Sequence, residues 1–397
     1  MAADFGKHTD ATTGQSNPTS IDPAKFDDVF RELSSKPALR VAFNGQGDVP
    51  QVQAPGAKGR IELAQNAAPG TDKPPYFRST RVDPVEIEVA GHGLDNFTDK
   101  YEAWKQLKGF INKEGSDPTD AVVDAIKTSK MVGLGEVHTY DGDPNPPRDW
   151  ATAHMKDFAR AGTTDLFVEM PRILQPIFDR FNNDPNKGPL QIPDKIVGPD
   201  GKIIDTPAAQ GALKMLRELS PDFLKMWTAA RDAGIKIDAV DNDSNGWLFY
   251  DKDSPEAKTL ALQRNHDMAT NMLAILNQPT KPGEPPRKGI AWLGNMDVAE
   301  GESPLGIPAL QEVKDQLAKT GQKTTTFFTQ MAETAPTEDN TLVPLSFTVD
   351  RPVAAATHEP NGQPSILGRM GVWNKFRVTP PYNMDNWDQV IIFPKLP

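Results

Sequence analysis

The sequence predicts an α/β fold: a mostly parallel central sheet with helices on both faces, preceded by a largely disordered N-terminal arm. Three observations lead there. Short apolar runs recur, each ending in an acid or beside one: Met131 to His138, Asp165 to Glu169, Ile235 to Asp241 and Ile290 to Asp297. Segments with helical spacing separate them, and strands alternating with helices imply right-handed crossovers into a parallel sheet. Finally, 37 prolines and 30 glycines in 397 residues are more punctuation than one packed body needs. The division that follows is an arm over 1–84 and one α/β domain over 85–397.

Residues 1 to 22 are dominated by small polar side chains and bury too little to offset the entropy of ordering. Phe26, Phe30 and Leu33 recur at helical spacing between Ala24 and Ser34, a stripe suited to docking on the body or on a protein partner. Lys36 to Pro84 lacks periodicity and reads as a linker. Val85 to Val89 alternates as an edge strand. Thr98 then caps a helix with Tyr101, Trp104, Leu107 and Ile111 on one face.

A helix over Asp120 to Lys130 buries Val122, Val123 and Ile126 and feeds the strand at Met131. The turn formers from Thr139 to Pro147 make a loop, after which Asp149 to Ala161 is helical. His154 on that helix reads as a core-edge imidazole. A helix over Pro171 to Phe181 should kink at Pro176, and Lys195 to Asp205 folds as a hairpin around Gly-Pro-Asp-Gly. Helices follow over Ala208 to Leu219 and Pro221 to Gly234, the second opened by Ser220 as N-cap and a first-turn proline. Ser254 and Pro255 repeat that signal for the longest helix, to Leu276. Thr324 to Met331 and Val390 to Phe393 complete the strands.

A formal net charge of -11 argues against nucleic acid or an anionic membrane surface as partner. The absence of cysteine excludes disulfides, thiolate metal sites, a cysteine nucleophile and a lipid-modified cysteine. The N-terminus lacks a basic and apolar signal, and no apolar run approaches the roughly 18 residues of a membrane span. The expectation is a soluble protein, cytoplasmic by default, with export by a non-classical route left open.

In open α/β sheets ligands bind beyond the carboxyl ends of the strands. Four parallel strands would therefore gather Glu136, His138, Glu169, Asp241 and Asp297 along one edge. Arg264 shares a helix face with Asn271 and suits an acidic cluster or a substrate anion. No Gly-x-Ser-x-Gly elbow, glycine-rich phosphate loop or HExxH helix is present.

Several motifs resemble the ChaN-like haem-binding uptake proteins of the Tiki superfamily, which also holds erythromycin-esterase-like hydrolases. Leu134 to His138 is similar to that family's first-strand signature. Phe167 to Phe181, with Gln175-Pro176 and Asp179-Arg180, is similar to its second. Arg264-Asn265 with Met268-Ala269 resembles its helix motif, and Gly294-Asn295, Val298, Gly301 and Gly306-Ile307-Pro308 its closing motif. The likeness covers about 120 to 330. That family normally carries a histidine where this chain has Asp297.

The leading reading is a hydrolase that activates water against an ester or amide of a small-molecule or peptide substrate. Glu136, His138, Glu169 and Arg264 are its catalytic candidates. Glu136, His138, Glu169, Asp241 and Asp297 are the candidate ligands for a divalent metal ion; without metal, His138 oriented by a carboxylate would serve as base. The resemblance implies an alternative, binding of haem or another small ligand through Tyr140 or His138, with haem less favoured than a divalent ion. A third alternative is a non-catalytic interaction protein with a degenerate site, acting through its N-terminal arm. An aspartate in place of histidine adds negative charge to the site, so either a hard cation or Arg264 must answer it.

Overall fold

The computed structural model describes residues 51–52, 61–65, 75–79, 82–85, 97–136, 145–242, 255–301, 307–330, 349–368, 371–372 and 382–394. The chain divides into two units, Met1–Val85 and Glu86–Pro397. In the first, β1 (Gln51–Val52), β2 (Ile61–Gln65), β3 (Pro75–Ser79) and β4 (Val82–Val85) pair antiparallel in sequence order. Strands therefore run through the stretch expected to be linker, where Ile61 and Leu63 alternate with Glu62 among the prolines and glycines that mask the pattern. The helix expected over 24–34 and the strand expected beyond Val85 lie outside the described residues.

The second unit is built on a seven-stranded sheet. Its strands are β5 (Met131–Glu136), β6 (Asp165–Pro171), β9 (Lys236–Asp241), β10 (Gly289–Gly294), β11 (Thr324–Gln330), β12 (Val353–Ala356) and β15 (Gln389–Ile392), in the order β12-β15-β11-β5-β10-β6-β9. Six are parallel; only β12, at one edge, runs antiparallel to its neighbour. The central strands β5 and β10 are buried at every position, as strands covered on both faces should be. Among the described residues two ribbons of two strands add to this: β7 (Ile196–Val197) with β8 (Ile203–Ile204), which is the expected hairpin, and β13 (Gly371–Val372) with β14 (Tyr382–Asn383).

Helices cover both faces. On one, Val132, Leu134, Ile290 and Trp292 pack under α2 (Pro118–Thr128), α3 (Pro146–Ala161), α4 (Gln175–Asn182), α5 (Pro207–Arg217) and α6 (Pro221–Asp232). On the other, Met131, Phe167, Ala291 and Leu293 pack under α1 (Phe97–Glu114), α7 (Pro255–Leu276) and α8 (Ala309–Ala318). Strand alternation sends adjacent residues to opposite faces, which accounts for this split. Gly133 and Gly135 of β5 leave the second face bare there: a β-carbon would strike Leu310 at the first and Asn295 and Val298 at the second.

Caps set the helix starts. Asp117 accepts from the Thr119 and Asp120 N–H groups, so α2 begins at Pro118. Asn145 accepts from the Arg148 N–H at 3.1 Å, which starts α3 three residues before the expected Asp149. Pro176 produces no kink. A 3-10 turn over Arg172–Leu174 precedes α4, which places Pro176 in the first turn, where its missing N–H has no helical acceptor to lose. Thr98 lies inside α1, not at its cap.

Candidate active site

β5, β10, β6 and β9 are consecutive parallel neighbours, so their carboxyl ends emerge at one edge. Glu169 leaves β6 on the α7 face, in alternation with Phe167. Asp241 ends β9, and Asp297 stands in a turn beyond β10, closed by its own N–H to the Gly294 carbonyl at 2.9 Å. Asn295 fixes this turn. Its side chain donates to the Thr329 carbonyl and accepts from the Thr329 N–H, each at 3.2 Å, extending the sheet ladder over Gly135.

Arg264 meets all three carboxylates. Its Nη2 stands 2.5 Å from Glu169 Oε1, its Nε is 2.9 Å from Asp241 Oδ1, and its Nη1 is 3.4 Å from Asp297 Oδ1. Nη2 also reaches Asp241 Oδ2 at 3.0 Å, so the guanidinium grips Asp241 with both prongs of its fork. The second oxygen of Glu169 accepts from the Gly294 N–H at 2.9 Å. The side chain of Asn271, one face along α7, donates to the Val240 carbonyl at 2.9 Å and holds the helix against β9.

Side-chain exposure is 8% for Arg264 and 7% for Asp241, but 14% for Asp297 and 21% for Glu169. Solvent thus reaches the cluster from the side of Glu169 and Asp297. Burial alone would lower the Arg264 pKa, but Asp297, Glu169 and Asp241 outweigh it and hold the guanidinium more firmly protonated than usual. Burial pushes the Asp241 carboxyl up, and the charge of Glu169 adds to it while Arg264 opposes both.

Glu136 does not join this group. Alternation turns it to the α3 face with Leu134, where its Oε2 accepts from Arg148 Nε at 2.8 Å and its Oε1 from Arg148 Nη2 at 2.9 Å. Trp292 Nε1 donates to the same carboxylate. Both members of the ion pair are almost wholly buried, at 1% and 2%, and the guanidinium lies 3.5 Å from the centre of the Phe223 ring. Both of its oxygens thus accept from partners on the α3 face of the sheet, opposite the face that Glu169 shares with Arg264. His138 and Tyr140 lie outside the described residues. His154 hydrogen-bonds Asp157 one turn along its own helix.

Arg148 is the residue that sequence reasoning missed. Asn145-Pro146-Pro147 carries the same cap-plus-proline signal as Ser220-Pro221, and reading it so would have put Arg148 in the first turn of a helix. A metal ion fits this donor set poorly, because the Arg264 guanidinium itself stands between the three carboxylates. Among the described residues no group of three or more His, Asp or Glu side chains is disposed to hold one. Nor is any described helix long and apolar enough to cross a membrane.

No protein-family model matches the chain, and no curated protein matches it. Solved structures do. A Bacillus cereus protein aligns at 11% identity and a TM-score of 0.41, covering 74% of this chain and 97% of its own. ChaN of Campylobacter jejuni, solved for cofacial haem binding, aligns at 10% identity and 0.35, covering 69% and 91%. A MARTX toxin effector domain, RRSP from Vibrio vulnificus CMCP6, aligns at 16% identity and 0.36, covering 58% and 40%. The alignments span about two fifths of the length of the bacterial toxin structures. Scores below 0.5 at such identities leave function untouched.

Proposed function

We propose that the chain is a hydrolase that activates water against an ester or amide bond at the carboxyl edge of its sheet, with no metal ion in the reaction. The observation that supports this is the meeting of Glu169, Asp241 and Asp297, from three strand ends, on the one nearly buried guanidinium of Arg264. Packing does not require it: removing two or three charges from water costs several kcal/mol per ion, and apolar side chains would close the same crevice at lower cost. Such clusters persist where the charge is used.

In this reading Arg264 supplies the positive charge that answers the three carboxylates. It holds Glu169 in place at a fixed distance from the Gly294 N–H, while the more exposed Glu169 and Asp297 face the water and substrate. His138, two residues past Glu136 in the sequence, is assigned as the base that takes the proton from water, since an imidazole titrates near neutral pH. The motif resemblance to a superfamily that also holds erythromycin-esterase-like hydrolases supports an ester or amide as the substrate class, while its ChaN-like members point to the haem-binding alternative.

The test is turnover of a panel of nitrophenyl esters and anilides by the full chain. Hydrolysis that falls by about two or more orders of magnitude in His138→Ala and Glu169→Gln, with folding intact by circular dichroism, would support the reading. Absence of turnover across the panel, or turnover unchanged by both substitutions, would refute it.

A further inference from the structure

A second carboxylate group lies away from the Arg264 cluster and takes no part in the proposed reaction. Asp165 opens β6 and is fully buried. Asp238 lies on the neighbouring β9, where it is the register partner of Phe167, so the two acids are diagonal neighbours on the α7 face. That placement brings the two carboxyls close enough for each to shift the other's pKa.

Their other partners differ. Asp165 Oδ1 accepts from Arg287 Nη1 at 2.7 Å and Oδ2 from the Thr164 hydroxyl at 2.5 Å. Among the described residues Asp238 Oδ1 accepts only a long contact from Gln175 Nε2 at 3.4 Å, and its buried Oδ2 has no N–H or O–H donor. A buried carboxylate oxygen without a donor is costly, and two carboxylates cannot hydrogen-bond unless one keeps a proton.

We propose that Asp238 is protonated in the folded protein and donates to the ionised Asp165 carboxylate, forming a proton-dependent clamp between β6 and the edge strand β9. Asp165 is the ionised partner because the Arg287 guanidinium and the Thr164 hydroxyl already serve its oxygens. A proton on Asp238 Oδ2 turns the orphaned acceptor into a donor and removes the unsatisfied atom. Burial is the main cause that raises both carboxyls, and the charge of Asp165 adds to it at Asp238, which is pushed to about 7.

The charged surroundings are defined on every side. Lys236 flanks the pair on β9. Arg287 and Lys288 precede β10, Lys130 precedes β5, and Arg172 lies in the 3-10 turn. From α4, Gln175 bridges Asp238 to Asp179, while α7 contributes the apolar Met272 and Ile275 to that face.

The sign follows from linkage. The folded state holds the Asp238 proton at a pH where the unfolded chain, with an aspartate pKa of about 3.9, has lost it. The clamp therefore stabilises fully at acid pH and its contribution declines as pH rises through about 7. Because β9 is an edge strand whose one strand neighbour is β6, and carries Asp241 three residues further on, weakening the clamp loosens the strand that supports one wall of the Arg264 cluster.

Thermal melts of the full chain between about pH 5.5 and about pH 8.5 provide the test, with the 13C carboxyl resonances of aspartate followed by NMR. In the wild-type protein Tm should fall by several degrees across that window, and one aspartate carboxyl should titrate near neutrality. In Asp238→Asn the resonance should vanish and the slope flatten; in Asp165→Asn the remaining midpoint should move to lower pH. A wild-type protein with no aspartate titrating between about pH 6 and about pH 8 would overturn the clamp, whether or not the variants fold. So would an Asp238→Asn slope parallel to the wild-type one.

Discussion

Arg264 Nη2 stands 2.5 Å from Glu169 Oε1, and the remaining oxygen of that carboxylate accepts the Gly294 N–H at 2.9 Å. A single side chain thus joins α7 to β6 and β10. Removing the guanidinium in Arg264→Met takes from Glu169, Asp241 and Asp297 the cation they share in a mostly buried space. The expected loss of stability is about 3–5 kcal/mol, with Arg264→Lys falling between that variant and the wild type because an ammonium cannot reproduce the fork on Asp241. Urea denaturation measures the order; Arg264→Met as stable as wild type would contradict it.

The Glu136–Arg148 pair should behave as a structural unit. Each of Glu136→Leu and Arg148→Met strands a buried charge and should cost about 3–5 kcal/mol, whereas the double variant should lose much less than the sum. A double-mutant cycle with a coupling energy on the order of 1–3 kcal/mol is the expected outcome. Strict additivity would show that the two side chains do not depend on each other.

Metal dependence separates the two ways of answering the charge at Asp297. With Arg264 in contact with all three acids, EDTA and added Mg²⁺, Mn²⁺ or Ca²⁺ should leave Tm of the wild-type protein unchanged. The three carboxylates freed by Arg264→Ala suit a hard cation, so that variant should gain Tm on adding these ions. A wild-type rise that Asp297→Ala abolishes would instead favour a metal centre.

Haem presents two propionate groups to a cluster in which three carboxylates face one guanidinium. Like charges oppose that approach. Titration with haemin should therefore give no stoichiometric Soret shift; a shift lost in His138→Ala or Tyr140→Phe would overturn this expectation.

How far the sequence anticipates this arrangement depends on whether the signal is local. β5, β6, β9 and β10 are legible because each is a compact apolar run between helical segments. The insertion of β10 between β5 and β6 is not, since strand order depends on packing between distant elements. Arg264 is legible as a helix residue sharing a face with Asn271, but its partners lie 23, 33 and 95 residues away, beyond the reach of any periodicity. The sequence groups Glu136 with Glu169 because each closes an apolar run. Alternation sends them to opposite faces, a distinction carried by Leu134 and Phe167 and not by the acids themselves. The Asp165–Asp238 pair gives no sign at all, since Asp165 at the start of β6 reads as an ordinary boundary and Asp238 inside β9 as a solvent-facing position of an alternating strand.

Gly135 has no side chain on the face where Asn295 and Val298 lie, and a β-carbon there would collide with both. The turn that presents Asp297 is consequently seated on bare peptide, with Asn295 serving as a rung between β5 and β11. A laboratory search for altered specificity would find this strand unforgiving. Alanine at Gly135, the smallest change available, would displace Asp297 without touching it, so variants at this position should lose catalysis as a backbone effect that no compensating choice of acid at 297 restores.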